Sequence, residues 1–523
     1  MSKSQGATPP APPDDLESLS RETLMALVRE QFTHVEELNR KIAALTHELA
    51  RLRRWQFGKR SEKVTSGAAG AEGTAPAGAE APPPPLPKPR RKARPHGRQR
   101  LPEHLPRQRV VHEIPDAERT CPGCQQPMTL IGEEISEQLD IVPATLRVLQ
   151  HVRPKLACRH CQDRVVVAPL LPQAVEKCLA SPGLLAHVVT SKYADHLPLN
   201  RLAGILGRQG VALTRSTLCD WVGATVAALD PLYDLMKQDV LASSYLRADD
   251  TPVRYLDPPR DRTSTGHLWA YLGDRAHPHV VYDFSSDWSN TWPLRFLELF
   301  AGYLQGDAYK GWDAVHARNP LVVEVGCMAH ARRYWFDAKD TDPVRAMKAI
   351  SLIRQLYDVE DEARNMPPEG RKHLRQMKAA PVLAELRTWL DDQAGSLLPK
   401  SPIGQAWTYS NNQWSALVRY LEHGEIEIDN NGAERALRPI AIGRINWMFA
   451  GSEEGGRRAA VLYSFVQSCK RNGLDPLRYF TDVLARLPSH PQRDLASLLP
   501  RSWAARGAAA AEGPALVVGG AGA

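Results

Sequence analysis

The chain has 523 residues, of which 43% are hydrophobic and 24% are charged, and its net charge is +7. This length exceeds what one ordinary hydrophobic core supports, so the sequence predicts several domains. No apolar run reaches the roughly 18 residues of a membrane helix, and the amino terminus lacks a signal-peptide pattern, so we expect a cytoplasmic protein with no membrane contact.

The first predicted element is a coiled coil over residues 14–60. Apolar or tolerated residues recur at heptad spacing between Leu24 and Leu52, with charged residues between them. Gln31 occupies one core position, where a polar residue can fix the register at a cost in stability. The pattern favours a homodimer or a higher assembly, and the alternative is an amphipathic helix packed on the rest of the chain.

Residues 64–100 are predicted to form a linker that ends in a basic arm. Ala, Gly and Pro dominate the linker, so it cannot bury a core and we expect it to be disordered. Seven Lys or Arg and no acid lie in residues 88–100, a composition typical of contact with DNA phosphates. The candidate DNA-binding residues of the arm are Arg90, Arg91, Lys92 and Arg94. A solubilising charged linker is the alternative.

Residues 101–175 are predicted to hold a zinc-binding module. Two Cys-x-x-Cys pairs, Cys121 with Cys124 and Cys158 with Cys161, can supply four thiolates to one tetrahedral Zn²⁺. Four thiolates leave no position for water, so the zinc is expected to be structural. Two strand-like stretches between the pairs, 134–141 and 146–155, predict a hairpin. The other four cysteines are scattered, which favours a reducing compartment.

Residues 178–230 predict a helix-turn-helix unit that binds DNA. Helix-like stretches cover 183–193, 199–208 and 214–222, with short connections between them. Arg215, Ser216 and Thr217 near the start of the third stretch are candidates for contacts with bases or phosphates. Three-helix units also serve as scaffolds, which is the alternative here.

Residues 240–485 predict an α/β core. Short apolar runs give five strands, at 244–248, 266–273, 279–284, 302–306 and 321–326, an order that matches a ribonuclease-H-like fold. Helical periodicity in the set Val344, Met347, Ile350, Ile353, Leu356, Leu383, Leu386 and Leu390 predicts a helical insertion at about 340–420. Trp407 and Trp414 lie in it as candidate stacking residues, although core tryptophans are commoner. Residues 486–523 form a C-terminal segment whose Ala/Gly-rich end, from Arg506, is expected to be disordered.

Three acidic residues are the candidate catalytic and metal-binding groups of this core. Asp249 and Asp307 each end a strand-like run, and Glu434 opens a helix. Carboxylates suit Mg²⁺ or Mn²⁺, and two such ions about 4 Å apart support phosphoryl transfer on nucleic acid. Caps and turns are the structural alternatives, with Asp250 and Asp429 as rival candidates for the first and third positions.

Several long phrases carry a family resemblance. They are Leu-Arg-Arg-Trp-Gln-Phe-Gly-Lys-Arg-Ser-Glu-Lys at 52–63, Ala-Asp-Asp-Thr-Pro-Val at 248–253, Gly-Cys-Met-Ala-His-Ala-Arg-Arg at 326–333 and, from 428, Ile-Asp-Asn-Asn-Gly-Ala-Glu-Arg-Ala-Leu-Arg-Pro. In these phrases the chain resembles the transposases of the insertion sequence 66 family, a branch of the DDE superfamily. Two departures are visible, because the family more often has Glu at Asp250 and a larger residue at Gly432.

The resemblance implies a bacterial, nucleoid-associated enzyme that cleaves the 3′ ends of its own element and joins them to target DNA. Asp249, Asp307 and Glu434 fall on the family's catalytic positions, with two Mg²⁺ or Mn²⁺ ions in each active site. The implied partners are the terminal inverted repeats, target DNA, a second copy of the chain and accessory proteins of the same element.

Basic residues follow Glu434 along the chain. Arg435, Arg438 and Arg444 are candidates for holding the DNA backbone, and a solvated basic face is the alternative. Cys327 and His330 have the spacing of a ligand pair, but no second pair accompanies them, and we interpret them as structural. Two other functions stay open: a catalytically silent dimeric DNA-binding regulator, and a ribonuclease-H-like nuclease that cuts without joining.

Overall fold

The fold is taken from a computed structural model that describes residues 20–22, 25, 28–29, 31, 33–35, 38, 146–157, 165–169, 172–257 and 262–510. The linker, the basic arm with Arg90, Arg91, Lys92 and Arg94, and the cysteines 121, 124, 158 and 161 lie outside these residues. Residues 61–151 separate from the rest of the chain as a unit of their own.

The predicted coiled coil lies mostly outside the described residues. The described positions between 21 and 38 are helical, and Val28, Val35 and Leu38 of the heptad pattern are exposed. At these positions the rest of the described chain therefore does not cover the apolar face, as the alternative of a packed amphipathic helix would require.

A small antiparallel hairpin, β1 (Lys155–Ala157) and β2 (Val165–Val167), brackets the second cysteine pair. The prediction of a strand over 146–155 is wrong, because residues 146–154 have no strand and pairing begins at Lys155. That stretch is exposed, so its apolar residues have no sheet face to pack against.

Three helices follow, α1 (Pro182–Tyr193), α2 (Leu199–Arg208) and α3 (Arg215–Leu241). The hydroxyls of Ser181 and Thr214 cap α1 and α3 by accepting hydrogen bonds from main-chain N–H groups one turn on. The third helix does not end at Val222 as the sequence predicted, because its buried face continues for five further turns onto the sheet.

The central sheet has five strands in the order β5-β4-β3-β6-β7. They are β3 (Tyr245–Asp257), β4 (Arg262–Leu272), β5 (Val280–Ser285), β6 (Gly302–Gln305) and β7 (Val322–Val325). β3, β4 and β5 pair antiparallel, whereas β6 runs parallel to both β3 and β7. Short helices α4 (Thr291–Phe296) and α5 (Lys310–Arg318) precede β6 and β7.

A helical subdomain follows β7. Its elements are α6 (Met328–Ala338), α7 (Pro343–Ala363), α8 (Pro368–Leu374), a π-turn (Arg375–Ala379), α9 (Ala380–Asp392), α10 (Pro402–Asn412) and α11 (Trp414–Val418). Val344 and Met347 are exposed, contrary to the predicted apolar face, because α7 buries Ala346 and Ala349 instead. Trp407 and Trp414 pack against the subdomain's core, as scaffold residues do.

Three helices complete the core: α12 (Asn431–Trp447), α13 (Glu453–Arg471) and α14 (Pro476–Arg486). The last helix is α15 (Pro500–Ala510). The prediction of disorder from Arg506 onward is therefore wrong for residues 506–510. None of the helices in the described part of the chain combines the length and apolarity that crossing a membrane requires.

Two serines of α13 bind the outer edge of the sheet. β5 is an edge strand, and its Val280 and Tyr282 N–H groups donate to the hydroxyls of Ser468 and Ser464 at 2.9 and 2.8 Å. Both serines are fully buried and lie one helical turn apart. They therefore satisfy edge donors that would otherwise be buried without a partner.

We predict that Ser464→Ala lowers the free energy of unfolding by about 1–3 kcal/mol, because the Tyr282 N–H loses its acceptor while it stays buried. Urea denaturation measures the change. Ser351→Ala, at an exposed position of α7, makes the same exchange within a helix and should change stability by less than about 0.5 kcal/mol. Equal losses in the two variants would contradict the role of the hydroxyl.

Candidate active site

The parallel pairing of β3 with β6 brings two predicted site residues to the same level. Arg247 of β3 is in register with Gln305 of β6, the last residue of that strand. Asp249 lies two residues beyond Arg247, and Asp307 lies two residues beyond Gln305. Asp249 does not end a strand, as the sequence suggested, because β3 continues to Asp257 as a hairpin with β4.

Asp249 is the most perturbed carboxyl group of this region. Burial, and after it the negative charges of Asp307, Asp250 and Glu434, together raise its pKa to about 7, against an opposing hydrogen bond from the Asp250 N–H. Charges on three other carboxylates therefore reach this one group. Asp249, Asp307 and Glu434, which are far apart in sequence, form one acidic cluster.

Asp307 is held by the turn that follows β6. Its Oδ1 accepts hydrogen bonds from the Tyr309 N–H at 3.2 Å and from Trp312 Nε1 at 3.3 Å. Gly306 makes room for the indole, because a Cβ there would lie 2.8 Å from Trp312 Nε1. The carboxylate is thus oriented while its second oxygen has no hydrogen-bond donor among the described residues.

A buried asparagine ties the start of α12 to β3. The Asn430 side chain donates to the Ala248 carbonyl at 2.9 Å, and its main-chain N–H donates to Cys327 Sγ at 3.2 Å. Glu434 lies one turn into α12, and its side chain is 33% exposed, so solvent and ligands can reach it. The Asn430 contact places this turn beside Asp249. Cys327 has the structural role that the sequence favoured.

The two rival carboxylates have other partners. Asp250 bonds to His267 Nδ1 at 2.5 Å and accepts a hydrogen bond from Trp288 Nε1 at 3.2 Å. Asp429 accepts a hydrogen bond from the Tyr357 hydroxyl at 3.0 Å and from the Asn431 N–H, which makes it a turn cap. Both groups are engaged in holding neighbouring segments, which leaves Asp249 and Glu434 as the better candidates.

Sequence reasoning missed that His330 and Arg333 on α6 are neighbours of Glu434. His330 Nε2 lies 3.8 Å and Arg333 Nη2 lies 4.0 Å from Glu434 Oε1, and Arg333 is 55% exposed. The phrase at 326–333 contained both residues, but its only apparent chemistry was the Cys-x-x-His spacing. The two residues are identified only by the contact between α6 and α12, which the sequence alone does not give.

An aromatic stack also escaped prediction. Trp288 stacks on His267 and on Tyr309, with ring centroids 5.5 and 4.7 Å apart. The Trp288 ring donates to Asp250, and the Tyr309 main-chain N–H and the Trp312 ring donate to Asp307. These aromatic residues, rather than Trp407 or Trp414, contact the carboxylates of the candidate site.

The candidate DNA-binding residues differ in their availability. Arg435 and Arg438 on α12 are exposed, as are Arg215 and Ser216 at the start of α3. Thr217 is half-buried and bonds to the Thr214 cap. Arg444 donates to the Thr251 hydroxyl and the Pro252 carbonyl, so it braces α12 on β3.

Within the described ranges, no three His, Cys, Asp or Glu side chains lie close enough to hold one metal ion. The acidic cluster nevertheless has the oxygen donors that hard divalent cations prefer. Its mutual repulsion, visible in the raised pKa of Asp249, is the kind that a cation relieves.

We predict that, in metal-free buffer, Asp249→Asn stabilises the chain at pH 8 and not at pH 4. The folded-state pKa is raised from 3.8 to about 7, so the stability that the protonated group contributes is full below pH 4 and is lost as the pH rises to 7. Asparagine cannot ionise, so the gain at pH 8 is at most about 4 kcal/mol.

Thermal melts at pH 4, 6 and 8 in EDTA test this dependence. Asp313→Asn, at an exposed position of α5, is the matched control and should show no such trend. A stabilisation by Asp249→Asn that is the same at all three pH values would rule out the ionisation of a buried, negatively surrounded Asp249 as its cause.

Four family models match this chain between residues 44 and 501, and all four describe insertion-sequence transposases. The model described as "Transposase IS66 family" matches residues 177–458, which include Asp249, Asp307 and Glu434. The model for the zinc-finger binding domain of transposase IS66 matches 118–162, a span that contains the four paired cysteines. The IS66 C-terminal element matches 464–501, and "Transposase C of IS166 homeodomain" matches 44–110.

The homeodomain match lies upstream of the three helices α1 to α3. It falls on the end of the predicted coiled coil, the linker and the basic arm. The helices themselves lie inside the span of the transposase model. The homeodomain match therefore supports DNA binding by this segment, in which the sequence had predicted DNA contacts from the basic arm.

Three relatives come from Sinorhizobium fredii. The uncharacterized protein y4jD is 36% identical over 511 residues, covering 92% of this chain and 99% of the relative. The uncharacterized protein y4qI is 33% identical over 527 residues, covering 93% and 97%, and y4hP is 33% identical over 424 residues, covering 77% and 76%.

The family matches confirm the resemblance that the motifs carried, together with its zinc-finger and DNA-binding components. They extend from the amino-terminal region to the last helices, in the order that the sequence predicted for a multidomain chain. The chain belongs to the IS66 family of transposases.

Proposed function

We propose that this chain is a DDE transposase that cleaves DNA at the ends of its insertion element and joins the freed 3′ ends to target DNA. The proposal includes a ribonuclease-H-like core. The strand order β5-β4-β3-β6-β7, with three antiparallel strands followed by two parallel ones, supports that fold. Family membership supports the activity.

One observation carries the proposal. Asp249 on β3, Asp307 after β6 and Glu434 on α12 come from separate segments, yet the charges of the other two raise the pKa of Asp249. A partly buried cluster of like charges is unfavourable for folding, so its presence favours a function that needs it. Binding of hard divalent cations during phosphoryl transfer is such a function.

The three carboxylates would hold Mg²⁺ or Mn²⁺. When bound, two such ions supply charge neutralisation at the scissile phosphate and activation of the attacking oxygen. Asp249 and Asp307, side by side at the sheet edge, would provide the fixed ligands. Glu434, which is partly exposed and lies 3.8 and 4.0 Å from His330 and Arg333, its ion-pair partners among the described residues, would provide the third ligand.

Basic residues around the cluster would position the DNA strand. Arg333 beside Glu434 and Arg435 and Arg438 on the exposed side of α12 can contact phosphates near the reacting bond. His330 can hold Glu434 in place or exchange a proton with it, since its Nε2 faces the carboxylate. The amino-terminal coiled coil would join two copies so that both element ends are cut in one nucleoid-associated assembly, with or without accessory proteins.

The test uses purified chain with labelled DNA that carries the element's ends, in the presence of Mg²⁺ or Mn²⁺. We expect nicked and strand-transfer products, and Asp249→Asn, Asp307→Asn and Glu434→Gln should each reduce them by at least about 100-fold because each removes a charged metal ligand. The control variant Asp313→Asn makes the same exchange at an exposed position of α5 and should retain activity.

Three outcomes would decide against the proposal or its site assignment. Nicks without joined products would favour the alternative of a ribonuclease-H-like nuclease that cuts without joining. Specific end binding in Ca²⁺ without cleavage in Mg²⁺ or Mn²⁺ would favour the regulator. Loss of activity in Asp250→Asn with activity retained in Asp249→Asn would move the first site position to Asp250.

We also propose that Cys121, Cys124, Cys158 and Cys161 bind one structural Zn²⁺, as the zinc-finger match supports. Purified chain should contain about one zinc per chain by elemental analysis. Cys121→Ser should lose it, whereas Cys219→Ser, at an exposed position of α3, should keep it. Full zinc content in Cys121→Ser would refute this ligand set.

A further inference from the structure

An arginine-lined pocket lies apart from the acidic cluster. It has a volume of about 340 Å³ and opens between the start of β3, the β4–β5 turn, the α7–α8 loop and the end of α13. Five of the lining residues are arginines: Arg247, Arg275, Arg364, Arg371 and Arg471. Neither the proposed catalysis nor the family matches gives this pocket a role.

Most of the carboxylates in the pocket wall already have partners. Asp274 accepts hydrogen bonds from the Ser244 N–H at 2.9 Å and from His277. Glu427 pairs with Arg371 at 3.2 Å. Glu425 is the remaining acidic residue of the lining. The acids therefore leave part of the arginine charge uncompensated.

Three arginines carry that uncompensated charge. Among the described residues, Arg247 and Arg275 form no ion pair, and the buried Nε of Arg247 has no hydrogen-bond partner. Arg471 donates to the neutral carbonyls of His279 and Gly273. Burial, and after it the nearby charge of Arg247, together lower the pKa of Arg471 to about 10, with a partial offset from Asp274. These guanidinium groups repel one another unless an anion lies between them.

The charge and size of the pocket indicate its ligand. A terminal phosphate carries a charge of about −1.5 to −2 at pH 7, more than the single charge of a phosphodiester, and matches several guanidinium groups. A concavity of about 340 Å³ admits a strand end or a small phosphate compound but not a duplex. We propose that this pocket binds a terminal phosphate group through Arg247, Arg275 and Arg471.

Arg247 connects the pocket to the acidic cluster. It lies two residues before Asp249 on β3, and its guanidinium packs on Gly432, two residues before Glu434 on α12. A Cβ at position 432 would lie 2.1 Å from Arg247 Nη1. Glycine at this helix start therefore provides the space that Arg247 occupies. A phosphate that fixes Arg247 also fixes the turn from which Glu434 projects.

The test measures binding by full-length chain in EDTA, so cleavage plays no part and the result is independent of the proposed catalysis. Fluorescence anisotropy compares a 3′-labelled single-stranded oligonucleotide that has a 5′-phosphate with one that has a 5′-hydroxyl. We expect the phosphate to tighten binding about tenfold, the effect of one charge-assisted hydrogen bond.

Two variants change the pocket without a large effect on folding. Arg275→Gln removes an exposed guanidinium, and Gly432→Ala displaces the guanidinium of Arg247 but keeps the residue. Arg275→Gln and Gly432→Ala should each abolish the tenfold preference and leave binding of the 5′-hydroxyl oligonucleotide unchanged. Arg493→Gln, at an exposed position remote in sequence from the pocket lining, should keep the preference.

Inorganic pyrophosphate in thermal-shift assays separates the two sources of the phosphate group. A shift that is lost in Arg275→Gln and Gly432→Ala, without any preference for the phosphorylated oligonucleotide, would support a free phosphate compound as the ligand. A preference with or without the shift would support a DNA strand end. Neither effect, or effects that both pocket variants retain, would overturn the proposal.

Discussion

The parallel pairing of β3 with β6 is the contact on which the rest of this core depends. The pairing ends at Arg247 and Gln305, and each of the two segments has an aspartate two residues further on, Asp249 and Asp307. Backbone hydrogen bonds therefore fix the separation of two carboxylates that repel each other. The repulsion is tolerated because β3 lies in the centre of the sheet, where Tyr245, Leu246 and Ala248 before Asp249 are buried.

Much of the core could be predicted from apolar runs alone, since all five strands lie within about two residues of their predicted starts, apart from the early start of β4. The second half of β3 could not, because it reads as Asp-Asp-Thr-Pro. Pro252 is tolerated there because β6 has already ended, so no strand needs its missing N–H on that side.

The sequence suggested the three acids of the candidate site but not the residues that surround them. Asp249, Asp307 and Glu434 stand in recognisable phrases, whereas the partners that orient them are set by tertiary contact. Gly432 illustrates the limit: in sequence it is only a departure from the family pattern, yet in the fold it leaves the space in which Arg247 lies. Arg444 was likewise a candidate DNA contact in the sequence, whereas in the fold it bonds to Thr251 and holds α12 against β3.

The hydroxyls of Ser464 and Ser468 also protect the outer edge of the sheet from pairing with another strand. An edge strand with free N–H groups can accept a strand from another molecule, the route by which sheets extend and proteins aggregate. Here the donors of Val280 and Tyr282 are occupied by a helix of the same chain. The sheet is therefore closed at β5, so copies of this chain cannot join by strand addition along that edge and must associate through other surfaces.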